Sequence, residues 1–484
     1  MHYAYPTYSV DLTADAIDRC CDIVVQLLQE VGFSVPHDQF LSRLRGKAGI
    51  RIDNGRVHFE PTLTRRYLDA FRDGTMSCSS TRQKVKYKTQ DWEVRTAGFS
   101  MTVLDIETEE IRPATCKDLR DLIKLVNSYG VGGSYPCMPQ DLPPLMRAIA
   151  CFKICWEMSR NIAPFDYQHP DQVRYIYEMH RVMGKPMEIT LTVPTALTID
   201  PKDIDVFMAF YDDWKRNGDI EFGCLDYAMT GITKPITVPG CLTMMLAEKL
   251  AVHMLFNLFD ENVHVPVGIG AGHPTDLRKA CWAFGSPRRH VFQYLNTCLM
   301  PVLRREKMDL YKPDSVLLET SSPAIDATAA MEKMSCGLLG AMQGCRSFGY
   351  AGVLCVDDVF SGTQFVVDLE MVDFIRETIE SFHPHPDILN MEGLYEECRD
   401  VGLGNDTFLS HPNTLERFRN IVPSSPRIVR EKLRSWMEHR TLLKDRAKAE
   451  ALERIRTFEP YRLPADKQKE LDKIYARAEA QLAR

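Results

Sequence analysis

Two kinds of side chain recur in this sequence where short apolar runs end: aromatic rings and isolated carboxylates. Tyr135, Tyr167, Tyr227, Phe348, Tyr350 and Phe360 supply rings, and Asp226 and Glu319 supply charge. Rings with negative charge are what a permanently cationic organic group needs, because a quaternary ammonium has no N–H to donate and is held by ring faces and carboxylates. Taken singly, each ring reads first as a core residue, and only the recurrence suggests a cage. His273 follows the run Gly268-Ile269-Gly270-Ala271-Gly272, and Arg278 lies just beyond it. A guanidinium there could clamp a substrate carboxylate through two parallel hydrogen bonds.

Other chemistries find less support. Fifteen cysteines are present, but the closest pairs are Cys20-Cys21 and Cys151-x3-Cys155, with no C-x-x-C. An odd, scattered set reads as reduced core thiols of a cytoplasmic protein, as in an anaerobe, rather than as disulfides. Cys224, His273, Cys298 and Cys355 could converge on zinc, yet their spacing gives no ligand motif and no metal is expected. There is no G-x-S-x-G elbow for a nucleophilic serine. His253, inside an apolar stretch, reads as a hydrogen-bonded core residue. A net charge of −7 over 484 residues gives no basic footprint for nucleic acid. The first ten residues lack the pattern of a signal peptide. The apolar stretch Cys241 to Phe259 contains Glu248, Lys249 and His253, so it reads as a buried helix rather than a membrane span.

The elements that must position these residues alternate. Apolar strand candidates are Ala97–Ile106, Val131–Tyr135, Asn161–Tyr167, Met187–Val193, Ile220–Tyr227, Val263–Ile269, Ser315–Ser321 and Ser347–Leu354. Helix candidates follow each: Cys116–Tyr129, Leu142–Met158, Pro170–Met183, Pro201–Asn217, Val238–Asp260, Pro287–Met308, Asp326–Gly344 and Gln364–Phe382. Eight successive βα units predict an α/β fold, a (β/α)8 TIM barrel over residues 97–386. An open doubly wound sheet is the alternative, but the G-x-G-x-x-G turn of a dinucleotide fold is absent. Residues 1–96 form an N-terminal helical cap, with helices over Asp15–Val31 and Pro61–Phe71 and a strand at Arg56–Phe59. Residues 387–484 form a charged helical extension whose polar faces suggest packing or interaction surface. In a barrel the reactive residues sit where strands end. This places Asp105, Gln140, Gln168, His169, Thr192, Thr195 and Ser321 at the same rim as the rings and carboxylates above.

Four segments, in order, carry a family resemblance. They are "LLQEVGFSVPHDQFLSRLRGKAGIRIDNGRVHFEP", "YAMTGITKPITVPGCLTMMLAEKLA" (Tyr227 to Ala251), "FGYAGVL" with "SGTQFVVDLEMVDFI" (Phe348 to Ile375), and "GLGNDTFLSHPNTLERFR" (Gly402 to Arg419). Together they resemble the trimethylamine methyltransferase superfamily over nearly the whole chain. Departures stand at Ala228, Thr363 and Asn413, where that family has Pro, Glu and His. The resemblance implies a (β/α)8 barrel that demethylates small amines and hands the methyl group to cob(I)alamin on a separate corrinoid protein. Trimethylamine-specific members carry pyrrolysine. This chain has only standard residues, including the stretch "ETSSPAIDATAAMEK", and so resembles the non-pyrrolysine group that uses quaternary amines such as glycine betaine. The D-x-H-x-x-G signature of corrinoid domains is missing at Asp357–Gly362, so cobalamin is expected on a partner. The partners implied are that corrinoid protein, a small methylated amine and a second copy in a homo-oligomer, with no nucleic acid and no membrane. A sulfonium or methoxy substrate, or a non-catalytic amine-binding subunit, are the competing readings.

Overall fold

Several helices in this chain begin where a polar capping residue precedes proline, since proline in the first helical turn loses no needed N–H. The computed structural model describes residues 14–76, 92–305, 315–381 and 386–483, apart from 97, 99, 166, 168, 271, 423, 424 and 426. Residues 1–10, Gln168, Ala271 and the Cys298 side chain, singled out above, lie outside the described set.

The N-terminal part comprises α1 (Ala14–Glu30), β1 (Phe33–Ser34), α2 (Asp38–Leu44), β2 (Ile50–Asp53), β3 (Arg56–Phe59) and α3 (Pro61–Arg72). Then follow β4 (Glu93–Thr96), β5 (Thr102–Leu104), β6 (Ile111–Pro113), α4 (Cys116–Ser128), β7 (Gly132–Gly133), α5 (Pro144–Met158) and α6 (Pro170–Met183). Next come β8 (Met187–Val193), α7 (Pro201–Asn217), β9 (Ile220–Asp226), α8 (Val238–Phe259), β10 (Thr275–Asp276), β11 (Cys281–Trp282) and α9 (Pro287–Leu303). The series continues with β12 (Val316–Leu317), α10 (Ala327–Met342), β13 (Ser347–Gly349), β14 (Val353–Leu354), β15 (Val359–Phe360) and α11 (Gly362–Glu380). The C-terminal helices are α12 (Leu394–Gly402), α13 (Pro412–Ile421), α14 (Leu433–His439), α15 (Leu443–Thr457) and α16 (Ala465–Leu482).

Helix α7 illustrates the local logic. Asp200 accepts from the Lys202 N–H, Pro201 starts the helix, and left-handed Gly218 ends it. The predicted bounds of α6, α7 and β3 match those observed.

The chain is mixed α/β with parallel pairing. β12, β13, β4 and β7 lie side by side in one parallel sheet. A parallel bridge between Gly133 and Ile162 extends it. β8 and β9 pair in parallel from Met187–Ile220 to Val193–Asp226. Val263–Ile269 makes no strand ladder, but Val263, Val265, Val267 and Ile269 are buried in alternation, as the strand reading required.

Two strand expectations need correction. The first parallel strand is β4, before the predicted Ala97–Ile106. Its Glu93 and Arg95 conceal it from a hydrophobicity scan, because both charges are satisfied by the Ser347 hydroxyl across the ladder. β5, inside the predicted segment, joins a second sheet of order β14-β15-β5-β6. The predicted strand Ser347–Leu354 is split into β13 and β14, because Tyr350 adopts φ +63° and breaks the extended run.

The main core joins α1, α2 and α3 to α6, α7 and α8. Helix α8 alone, among the described residues, is long and apolar enough to cross a membrane, and 72% of its most apolar window is buried inside the protein. His253 within it bonds Val265 O at 2.6 Å, as a core histidine should. At the other end α15 packs on α4 and α11, and α16 on α5 and α6.

Candidate active site

Loops that follow the parallel strands are tied to one another by backbone hydrogen bonds, and this is what gathers the polar residues. Beyond β9, His273 N donates to Ala228 O at 2.8 Å and Thr230 N donates to His273 O at 3.0 Å. This bridge sets His273 beside the Tyr227–Thr230 turn. Beyond β13, Cys355 N donates to Ser322 O and Val356 N to Thr320 O. Tyr350, Cys355 and Val356 all have positive φ, at 63°, 51° and 70°. Such strain, worst for a β-branched residue, persists only where surroundings enforce it and concentrates at functional loops. At Tyr350 the enforcing group is a buried ion pair: Lys333 Nζ donates to Tyr350 O and lies 2.7 Å from Asp368, which accepts the Gly352 N–H and the Gln364 amide. Burial pushes Lys333 down and Asp368 up, against their mutual attraction.

Between these loops lies an aromatic stack around His273. Its ring is 5.2 Å from Trp282 with 10° between planes, and 4.7 Å from Phe284. Trp282 and Phe284 are themselves 4.9 Å apart. Trp282 ends the short β10–β11 hairpin, and Phe284 follows two residues on, in the turn before α9. Gly285 must remain glycine: its φ is +71°, and a Cβ would stand 2.7 Å from Glu319 O and 2.5 Å from the Glu332 Cβ.

Glu319, 1% exposed, receives a bidentate guanidinium from Arg289, with Nε–Oε2 2.8 Å and Nη2–Oε1 3.0 Å. Arg289 sits in the first turn of α9, where the helix dipole disfavours a cation. Glu319 compensates that penalty. His273 Nδ1 is 3.8 Å from Glu319 Oε1, outside hydrogen-bond reach. Arg289 Nη1 and His273 Nδ1 are both buried with no hydrogen-bond partner. Burial, and then the Arg289 charge, holds His273 well below the usual imidazole range, so the ring is neutral. Tyr350 senses the charges of Glu319 and Arg289 as well as Asp357, and burial raises its phenol well above the usual value.

The residues singled out by sequence divide into two groups. Tyr227, His273, Glu319 and Tyr350 belong to this cluster of loops. The others lie elsewhere. Tyr135 is buried and stacks on Phe165 at 5.7 Å, in a cluster with the buried Phe360. Phe348 stacks on Trp92 at 5.6 Å and faces Gly337 of α10. Asp226 is 3.0 Å from Lys249 and 3.9 Å from Lys234, and Lys234 is 2.7 Å from Glu248, so its charge is already compensated. Arg278 is exposed and paired with Asp276 at 2.9 Å. His169 caps α6, and Asp105 pairs with Arg112. Among the described residues no three of His, Cys, Asp or Glu group closely enough for a metal. Burial pushes the thiols of Cys224, Cys241 and Cys336 up to about 12, so they stay protonated. Two surface recesses, of about 120 and 430 Å³, share no lining residue with the His273 cluster.

Sequence reasoning missed Arg289, Trp282 and Phe284. The basic run Arg288-Arg289-His290 in the first turn of a helix, and rings two residues apart at Trp282 and Phe284, were the available signals. The resulting arrangement offers ring faces, an uncharged imidazole, a carboxylate and a guanidinium in a water-poor setting, which suits a small charged organic molecule.

Parallel strands with intervening helices, and polar groups collected in the loops after them, place the chain among mixed α/β proteins. Within that class it belongs to the trimethylamine methyltransferase (MTTB) family, whose sequence model matches residues 2–483. Two curated relatives are a trimethylamine methyltransferase MttB2 of Methanosarcina mazei, 28% identical over 209 residues, and a trimethylamine methyltransferase MttB of Methanosarcina thermophila, 27% identical over 214 residues. The matches cover 42% and 43% of this chain and only 39% and 41% of the relatives.

Proposed function

We propose that this chain is a methyltransferase that takes a methyl group from a small quaternary amine and delivers it to cobalamin held by a separate corrinoid protein, from the mouth of a closed (β/α)8 barrel. The observation that carries the reading is the stack of His273, Trp282 and Phe284 beside the buried Glu319–Arg289 pair. Membership of the family supports methyl transfer, and its first relatives are named for trimethylamine. Ring closure is supported by the parallel pairing of β13 with β4, which joins the last βα unit to the first.

The charge balance favours a zwitterion. Glu319 and Arg289 cancel, and Arg289 Nη1 still lacks an acceptor. A betaine would set its cation against the rings and Glu319 and its carboxylate against Nη1, the role first assigned to Arg278. Because His273 is uncharged, it adds a ring face without repelling the cation. The scissile C–N bonding pair stays on nitrogen, so a quaternary substrate leaves as a neutral tertiary amine and needs no general acid. This chain's work is then to orient the methyl group and exclude water.

The residues do not fit resident cobalamin. Val359 stands where the D-x-H-x-x-G motif has its histidine, and His253 and His273 are engaged inside the fold. Cobalamin on its own protein supplies the nucleophile that accepts the methyl group.

The test is methyl transfer to free cob(I)alamin, followed by absorbance, across betaines, carnitine, choline and sulfonium compounds. One of the quaternary amines should react, and Glu319→Gln should lose most of that rate. Reaction with sulfonium compounds alone, or none with any substrate in the presence of corrinoid protein, would overturn the reading.

A further inference from the structure

The motif Gly402–Arg419 lies in a part of the chain that the proposed chemistry does not use. Helices α12, α13 and α14 bury no residue among those described. Sixteen of the 29 large apolar residues that stand exposed fall between Ile388 and Leu442, among them Met391 at 76%, Leu409 at 81% and Leu433 at 71%. Together they present on the order of 1,500 Å² of apolar surface, where the largest patch of a monomer is about 300–600 Å² and a standard interface takes about 800 Å² from each partner.

This segment is an organised body. Asn413 donates to Glu397 at 2.8 Å, locking α13 to α12. Its base is fastened to the rest of the chain, with Arg427 bound to Glu370 at 3.2 Å and to Glu450 at 2.8 Å. It is therefore an arm anchored through Arg427, with its apolar side chains in solvent.

A second surface has the complementary defect. Helix α10, ATAAMEKMSCGLLGAM, has two charged residues, and both turn inward. Glu332 accepts from Thr320 and Ser321, and Lys333 is fully buried on Asp368. What remains outside is Met331, 65% exposed, Met342, 55% exposed, and the half-buried Leu338 between them. Met331, Leu338 and Met342 recur at helical spacing, so they form one apolar stripe on the outer face. Phe374 of α11, the helix packed against α10, is also 40% exposed.

We propose that the α12–α14 arm of one copy seats on the outer face of α10 in a second copy, reciprocally, to form a twofold dimer. The occupant is a second copy for two reasons. A partner that binds and leaves in each turnover uses a smaller, more polar interface, whereas an apolar area this large matches a permanent homodimer. A twofold contact also requires arm and receptor on the same chain, which is what this chain carries.

The experiment uses the full chain at micromolar concentration, with light scattering after size exclusion. Wild type should have twice the 55.3 kDa chain mass. Leu409→Glu in the arm and Met331→Glu on α10 should each give monomers with unchanged circular dichroism. An equimolar mixture of the two variants should recover dimers, because one arm–receptor contact is intact in the mixed pair. Should either Glu variant lose helical signal, Leu409→Gln and Met331→Gln replace them in the same measurements. A monomeric wild type, variants that remain dimeric, or a mixture that stays monomeric each overturns the proposal.

Discussion

Trp282→Ala tests the proposed cation cage by isolating the charge-dependent part of binding. The ring lies nearly parallel to His273 at 5.2 Å and touches Phe284 at 4.9 Å, so its removal deletes one wall and leaves two. A ring face contributes about 0.5–2 kcal/mol to a desolvated cation. At 1.4 kcal/mol per tenfold, the variant should bind the quaternary amine about 2-fold to 30-fold more weakly. A neutral isostere, with a tert-butyl carbon in place of the trimethylammonium nitrogen, loses apolar contact but no cation–π attraction. The ratio of the two affinities should therefore shift by that same factor. Isothermal titration of both ligands on wild type and variant measures it. The two lost ring contacts also cost about 0.5–1.5 kcal/mol each in stability, so thermal unfolding must confirm a folded variant. Equal weakening for both ligands would refute a cation cage at this site, and unchanged affinity would remove Trp282 from the site altogether.

Other expectations follow from the same loops. Lys333→Met leaves Asp368 buried without its cation, which costs about 3–5 kcal/mol, and calorimetry should show a Tm lowered by roughly 3–5 °C. The double change Lys333→Met with Asp368→Asn should recover part of that loss; no recovery would mean the pair is not what holds the Tyr350 loop. Gly285→Ala forces a Cβ against Glu319 O, and titration should show substrate binding lost while circular dichroism is retained. Because His273 is held below the imidazole range, substrate affinity should stay flat from about pH 9 to 6.5 and weaken only at lower pH, where a protonated ring repels the cation. Glu450 is held down to about 2 chiefly by the hydrogen bond from Arg427. Its folded value lies below its ordinary one, so its contribution to stability is full above about pH 4.5 and is lost as pH falls through about 2. Glu450→Gln should flatten that part of the acid unfolding curve.

Helix bounds, and the alternation of strand and helix, were legible in the sequence because they are local. Capping residues, prolines at first turns and 3.6-residue periodicity act within a few positions, which is why α6 and α7 were predicted to the residue. His253 was legible as core for the same reason, set in an unbroken apolar helix. Strand β4 was not legible, since a strand whose charges are satisfied across the ladder carries no hydrophobic signal of its own. Site membership was decided by tertiary structure. Tyr227, His273, Glu319 and Tyr350 share a neighbourhood through backbone bonds between loops far apart in sequence. Phe348 and Phe360 end the same kind of apolar run but turn into the core, and no feature of their own segments distinguishes them. Charge followed the same rule. Asp226 and Glu319 look alike in one dimension, and only the folded chain puts two lysines beside the first and a single dipole-opposed arginine beside the second. Local residue pattern sets the elements, whereas pairing of charges and rings depends on which loop ends meet, and that is a property of the tertiary fold.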